Sequence, residues 1–332
     1  MKKILICDCA SAMETNYEPT INALKNSMGE SFGEYEIKIC PYENDAQLAE
    51  ELKDAEGLIT AFLEIGDSIL NRAEKLKCIS VSAVGYGNID CEAAVRHGVT
   101  VCHIEEYCTE EVAEHTLALI GALNRNLKYY DRQVGEKKSW KYHTISGGRT
   151  LNHQTLAIFG FGRIGRRVAG LAKGFGMKVI AVDPYAKQED AKAQGVKLVS
   201  AKQALEEADI ITNHMNLTKE NKYFFNEETF AIMSRKPIFI NVGRGACVKE
   251  SALVNALDSG IIRAAGLDVL EDEEPDLNAC RLLNRDNVII TPHSAFYSDE
   301  SIEALQRISG ENLGCFLTGN KDRVFSVVPE CR

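Results

Sequence analysis

The sequence predicts an α/β protein built on two doubly wound parallel sheets. Three observations carry this prediction. Short apolar runs alternate with helical patterns along almost the whole chain. One stretch, 155–183, reads as strand, glycine turn, helix, strand and acidic stop in succession. A closing helical segment at 298–317 is able to pack back on the first part of the chain, which makes the second domain an insertion into the first. At 332 residues, 45% hydrophobic and 26% charged, the composition is ordinary for a globular protein, and the length exceeds one average domain.

Strands are expected at 4–7, 36–40, 57–62, 78–82 and 100–103, with covering helices at 45–55 and 90–97. These form a smaller, flavodoxin-like layer. A long helical segment, 110–130, follows, with Ala113, Leu117, Ile120 and Leu123 or Leu127 near helical spacing, and it makes a natural hinge. The polar stretch 135–151, holding the single tryptophan, Trp140, reads as an arm or loop. Strand and helix then alternate again through 155–159, 178–182, 209–214, 237–241, 263–268 and 287–291, enough strands for a full second sheet. The expected division is 1–103 with 296–332 for the smaller domain and 104–295 for the inserted one.

Within 155–183, Gly160, Gly162 and Gly165 form a G-x-G-x-x-G that opens a helix through Arg163 and Ile164. Gly160 allows the tight turn, Gly162 admits a pyrophosphate close to the backbone, and Gly165 lets the helix lie near the sheet. The helix start offers unpaired N–H groups to phosphate. Asp183, ending the next strand, can accept from ribose hydroxyls and repels a 2′-phosphate. A lone glycine motif is usually a surface turn; here the strand, helix and acidic stop are all in register. The insert is therefore expected to be a Rossmann domain for NAD rather than NADP.

The net charge of −10 argues against a nucleic-acid or anionic-membrane surface. Eleven cysteines, an odd number with no C-x-x-C, read as reduced thiols in a cytoplasmic protein. No apolar run approaches a membrane span, and the start of the chain has no leader-like apolar segment. No His, Cys and Asp spacing matches a metal site.

In open α/β sheets, ligands sit outside the carboxyl ends of the strands. Three ends carry reactive groups. Asn241-Val242-Gly243-Arg244-Gly245 sets an arginine between two glycines, where a guanidinium can fork onto a carboxylate. Asp268 follows another strand and precedes the acidic run 271–274. Pro292-His293 follows a third. Cation, carboxylate and imidazole are the set a 2-oxo acid needs beside a hydride donor. His214 is expected to line the cofactor cleft with its backbone, and His97, His103, His115, His143 and His153 to be structural or superficial.

These residues resemble the D-isomer-specific 2-hydroxyacid dehydrogenases. The likeness rests on Gly160–Gly165, Asn241–Gly245, Leu267-Asp-Val-Leu270 with its acidic tail, and Thr291-Pro-His-Ser294, with Val84-Gly-Tyr-Gly-Asn-Ile-Asp90 and Glu111-Val-Ala-Glu-His-Thr116 as further family-like segments. The resemblance implies that Arg244 binds the substrate carboxylate and carbonyl, that His293 is the acid/base, and that a glutamate pairs with it. Glu273 lies five residues beyond Asp268, as in the family, whereas Glu274 directly precedes the proline; strand-end distance selects Glu273. It also implies that Asp268 helps place the nicotinamide, with Val242 and Gly243 beside the cofactor, and that Val84, Gly85 and Tyr86 hold the carboxylate from the smaller domain. Tyr107 and Tyr297 are expected at the substrate, with Phe296 nearby. Gly87 and Asn216 depart from the family's usual aspartate and proline. The expected protein is an NAD-dependent reductase of 2-oxo acids and a homodimer through the NAD-binding domain. Two rivals share its motifs: an NAD-sensing, corepressor-like binding protein, and a phosphoglycerate- or hydroxyglutarate-type dehydrogenase.

Overall fold

The computed structural model describes residues 1–14, 16–146, 148–272, 275–324 and 327–328. The chain divides into two compact units, Met1–Tyr107 with Ser298–Arg332, and Cys108–Tyr297.

The first unit is a parallel sheet of five strands: β1 (Lys2–Asp8), β2 (Tyr35–Pro41), β3 (Ala55–Thr60), β4 (Cys78–Val81) and β5 (Thr100–Cys102), in the order β2-β1-β3-β4-β5. This is the flavodoxin-like order, with its switch point between β1 and β3. Ile4, Leu5, Ile6 and Cys7 are consecutively buried, as expected of a strand covered on both faces. The helix Asp45–Leu52 starts where the Asn44 side chain accepts the Ala46 and Gln47 N–H groups, and Asp90 caps Cys91–Arg96 in the same way. Helix Asp299–Leu317, opened by a Ser298/Ser301 capping box, lies against helix Glu18–Met28, an element the sequence reading did not mark. Gly310 and Gly314 make this approach possible, since a Cβ on either would run into Thr20 or Ser27. The Ser80 hydroxyl donates to the Ser309 carbonyl at 2.9 Å, tying the helix to the sheet.

The second unit carries seven parallel strands: β6 (Thr155–Phe159), β7 (Lys178–Val182), β8 (Lys197–Leu198), β9 (Ile210–Asn213), β10 (Ile238–Asn241), β11 (Ala264–Leu267) and β12 (Val288–Ile290). Their order, β12-β11-β10-β9-β6-β7-β8, is a Rossmann sheet with one added strand and a switch point between β6 and β9. Its core includes Phe159, Phe225, Phe230 and Phe239, with Phe225 and Phe239 ring centres 4.8 Å apart. β8, two residues long, is too short to produce a periodic signal.

The single helix expected at 110–130 is two helices, Thr109–Asn124 and Leu127–Gly135. Asn126 breaks it at φ +54°, a conformation asparagine tolerates well, and its side-chain amide donates to the Ser146 carbonyl at 3.2 Å. Among the described residues no helix is long and apolar enough to cross a membrane, and no cysteine is in a disulfide.

Candidate active site

Sheet order places the expected residues along the carboxyl edge of the second unit. His293 follows β12, Asp268 follows β11, Arg244 follows β10, His214 follows β9, the glycine turn follows β6, and Asp183 follows β7. Parallel neighbours lie about 4.8 Å apart, so the Arg244 and His293 turns, two strands apart, sit roughly 10 Å from one another.

At the glycine turn, Gly160 adopts φ +89°, and a Cβ there would lie 2.8 Å from the His214 backbone. Gly165 packs against the Gly160 carbonyl, while the Cβ direction of Gly162 is open to at least 4 Å. Gly162 is also the N-cap of helix Arg163–Gly174 and makes no side-chain cap, so no side chain of its own occupies the helix start. Arg163 is exposed and Ile164 half-buried. This cradle fits a dinucleotide pyrophosphate. Asp183 accepts the Phe161 N–H at 2.7 Å and those of Tyr185 and Ala186 at 2.8 and 3.1 Å. A carboxylate has about four acceptor positions, so roughly one remains for a ribose hydroxyl.

His214 donates its backbone N–H to the Phe159 carbonyl at 2.7 Å. Among the described residues neither of its ring nitrogens has a partner, and both are sealed from solvent. Burial pushes its pKa down to about 3, so the imidazole is neutral.

The Arg244 turn is built by two buried asparagines that sequence reasoning passed over in this role. Asn213 Nδ2 donates to Asn241 Oδ1 at 2.9 Å; the same oxygen accepts Gly243 N–H at 3.2 Å, and Asn241 Nδ2 donates to the Arg244 carbonyl at 3.2 Å. A polar residue closing each of two apolar strands was the available signal. Gly245 is required because a Cβ would collide with the Leu270 carbonyl; Val242 and Gly243 are buried. Arg244 itself is half-buried, and its Nη1 donates to the Gly243 carbonyl at 2.9 Å. No carboxylate among the described residues pairs with it.

Asp268, 2% exposed, is the hub of the His293 turn. Its Oδ1 accepts from the Thr291 hydroxyl and from Ser294 N–H (2.9 Å), and its Oδ2 accepts Ala295 N–H (2.9 Å). Its carbonyl accepts His293 N–H at 2.8 Å. His293 is exposed and held at φ +50°, uncommon for a non-glycine residue and a kind of strain that clusters at working sites. His115 Nε2 lies 3.0 Å from Thr291 Oγ1, so this histidine belongs to the same cluster. Of the acidic run, Glu271 is engaged by the Tyr223 hydroxyl (2.6 Å) and Glu250 N–H (2.9 Å). Glu273 and Glu274 lie outside the described residues.

The remaining expected site residues, apart from exposed Tyr297, belong to the first unit. Val84, Gly85 and Tyr86 follow β4 on its carboxyl edge. His103 Nδ1 donates to the Val84 carbonyl at 3.0 Å and its ring meets Tyr86 edge-on at 4.8 Å, while Asn88 ties the loop to the Ala61 and Leu63 carbonyls. Tyr107 is half-buried where this unit's first segment ends.

Residues 117–295 match the family model for the D-isomer specific 2-hydroxyacid dehydrogenase, NAD binding domain. The chain belongs to the D-isomer specific 2-hydroxyacid dehydrogenase family. The matched domain is the family's NAD-binding one, and its cofactor is NAD. Among proteins similar to this dehydrogenase-family chain, glyoxylate reductase of Pyrococcus furiosus is 35% identical over 86% of this chain and 87% of its own length. D-3-phosphoglycerate dehydrogenase 2, chloroplastic, of Arabidopsis thaliana is 36% identical, and there the chain spans only 48% of the relative's length. D-lactate dehydrogenase from Aquifex aeolicus, solved with NAD and lactic acid, superposes with a TM-score of 0.85 at 32% identity, covering 98% of each chain.

Proposed function

We propose that the protein reduces a 2-oxo acid to the (R)-2-hydroxy acid, and runs in reverse when product accumulates. The observation that carries this reading is Arg244: a half-buried guanidinium in a glycine-bracketed turn, with no carboxylate partner among the described residues, one strand away from the Asp268 hub. Its planar fork takes the substrate carboxylate and polarises the adjacent carbonyl. Backbone N–H groups of Val84, Gly85 and Tyr86 add donors to that carboxylate. NADH, when bound, supplies the hydride. Gly160, Gly162, Arg163, Ile164 and Gly165 hold its phosphates, Asp183 its ribose, and His214, Val242 and Gly243 border it. His293, paired with Glu273, gives the proton to the carbonyl oxygen as the carbon is reduced. The Asp268 carboxylate acts through the His293 turn.

The substrate side chain is proposed to be apolar, branched or aromatic, packed by Tyr86, Tyr107, Phe296 and Tyr297. A phosphorylated substrate is the second reading, favoured by the likeness to the Arabidopsis phosphoglycerate dehydrogenase. NADH consumption against glyoxylate, pyruvate, 2-oxoisocaproate, phenylpyruvate, oxaloacetate, 2-oxoglutarate and a phosphorylated 2-oxo acid decides among these. No turnover with any of them refutes the reaction, and refutes it in favour of an NAD-sensing binding protein.

A homodimer through the second unit is proposed, supported by the exposed Leu127, Trp140 and Tyr142, which are 56, 88 and 83% accessible. Sedimentation of the protein and of Trp140→Ser tests it. Cytoplasmic residence is proposed from the abundance of free thiols.

A further inference from the structure

We infer that His115 is a positioning residue for the reaction, acting through Thr291 and Asp268 on the turn that presents His293. This rests on the reading of His293 as the acid/base. Thr291 has a single hydroxyl hydrogen, and it is directed at Asp268 Oδ1, an acceptor-only carboxylate oxygen. The contact of 3.0 Å between Thr291 Oγ1 and His115 Nε2 therefore has the imidazole as donor, which specifies the Nε2–H tautomer. The same nitrogen stands 3.8 Å from Asp268 Oδ1, so its N–H dipole also faces the buried carboxylate.

The result is a directed chain from His115 to Thr291 to Asp268. It joins helix Thr109–Asn124 to a turn 176 residues further along. Asp268 in turn accepts Ser294 and Ala295 N–H and, through its carbonyl, His293 N–H. His293 stands in the left-handed region at φ +50°, and such a residue persists only where its surroundings over-determine it. His115 supplies a constraint that comes from a helix rather than from the strand ends themselves. Without it, the Thr291 hydroxyl is free to rotate away from Asp268 and the turn loses its lateral tie.

The test compares the full chain with His115→Leu, His115→Gln, Thr291→Val, the Leu/Val double variant and His293→Ala. Glutamine retains a donor near the Nε2 position; leucine does not. His115→Leu and Thr291→Val should each lower kcat by roughly 10-fold or more, as expected when a reacting group is misplaced by a fraction of an ångström, with KM for NADH within about 2-fold of wild type. His115→Gln should recover most of that loss, and the double variant should be no worse than the poorer single variant. Nitrogen-15 spectra of the histidine side chains in the apo protein should show His115 protonated at Nε2. The inference is overturned by an Nδ1–H tautomer, by glutamine as damaging as leucine, by losses that multiply in the double variant, or by a normal kcat in His115→Leu while His293→Ala is inactive. Full activity in His293→Ala instead removes the acid/base reading, and this inference with it.

Discussion

Replacing Asp268 with asparagine removes one charge and one acceptor from a site with no slack. Both carboxylate oxygens are occupied: Oδ1 by the Thr291 hydroxyl and Ser294 N–H, Oδ2 by Ala295 N–H. Asparagine offers one oxygen and one NH₂ group. With the oxygen at the Oδ1 position, the amide hydrogens face Ala295 N–H; with the amide flipped, they face Ser294 N–H. Either way one backbone donor is stranded, and Ala295 is only 4% exposed, so water does not replace the lost acceptor there. A stranded buried donor costs about 1–3 kcal/mol, and loss of charge assistance in the surviving bonds adds about 1 kcal/mol. Asp268→Asn should therefore lower the unfolding free energy by about 2–4 kcal/mol in urea titration of the apo protein. Because the stranded donor lies in the His293 turn, kcat should also fall by about 10²-fold. A variant within 0.5 kcal/mol of wild type, a threshold at the scale of an ordinary surface substitution, would show that the carboxylate does not hold the turn.

Three further outcomes follow from the same geometry. NADH should be preferred to NADPH by at least ~10-fold in kcat/KM, since the Asp183 charge, already bonded to three backbone N–H groups, repels a 2′-phosphate; equal values sink the assignment. Arg244→Lys should be severe, with kcat/KM down by about 10²-fold or more, because a point charge cannot replace the fork; a near-normal KM and kcat would return Arg244 to a purely structural role. The third concerns acid. His214 has a folded pKa of about 3 against an ordinary 6.5, so below pH 6.5 the unfolded chain takes up a proton that the folded protein refuses. Stability is thus lost as pH falls through that window, by about 1.4 kcal/mol between pH 7.5 and 5.5. His214→Gln should lack this component in urea titrations at the two pH values, and an identical pH dependence in both proteins would contradict the burial argument.

Much of the fold was legible because its signals are local. A strand, a glycine that must take positive φ, a helix start and an acidic strand end lie within thirty residues of one another, about the length of one βαβ unit, and Gly160, Gly162, Gly165 and Asp183 could be read in order. Arg244 and His293 were legible as strand-end residues for the same reason. The break at Asn126 was less so, since asparagine inside a helical pattern carries only a weak local preference against continuing.

What the sequence by itself determined is the alternation of elements, the dinucleotide turn and which polar side chains follow the strand ends, all of which depend on near neighbours along the chain. Only the tertiary structure decided which strand ends stand side by side, how Asn213 and Asn241 clasp the Arg244 turn, and that His115 reaches Thr291 across 176 residues. The physical reason is that a hydrogen bond needs its donor and acceptor within about 3 Å and suitably aligned, a condition set by strand order and helix packing that no periodicity in the sequence encodes.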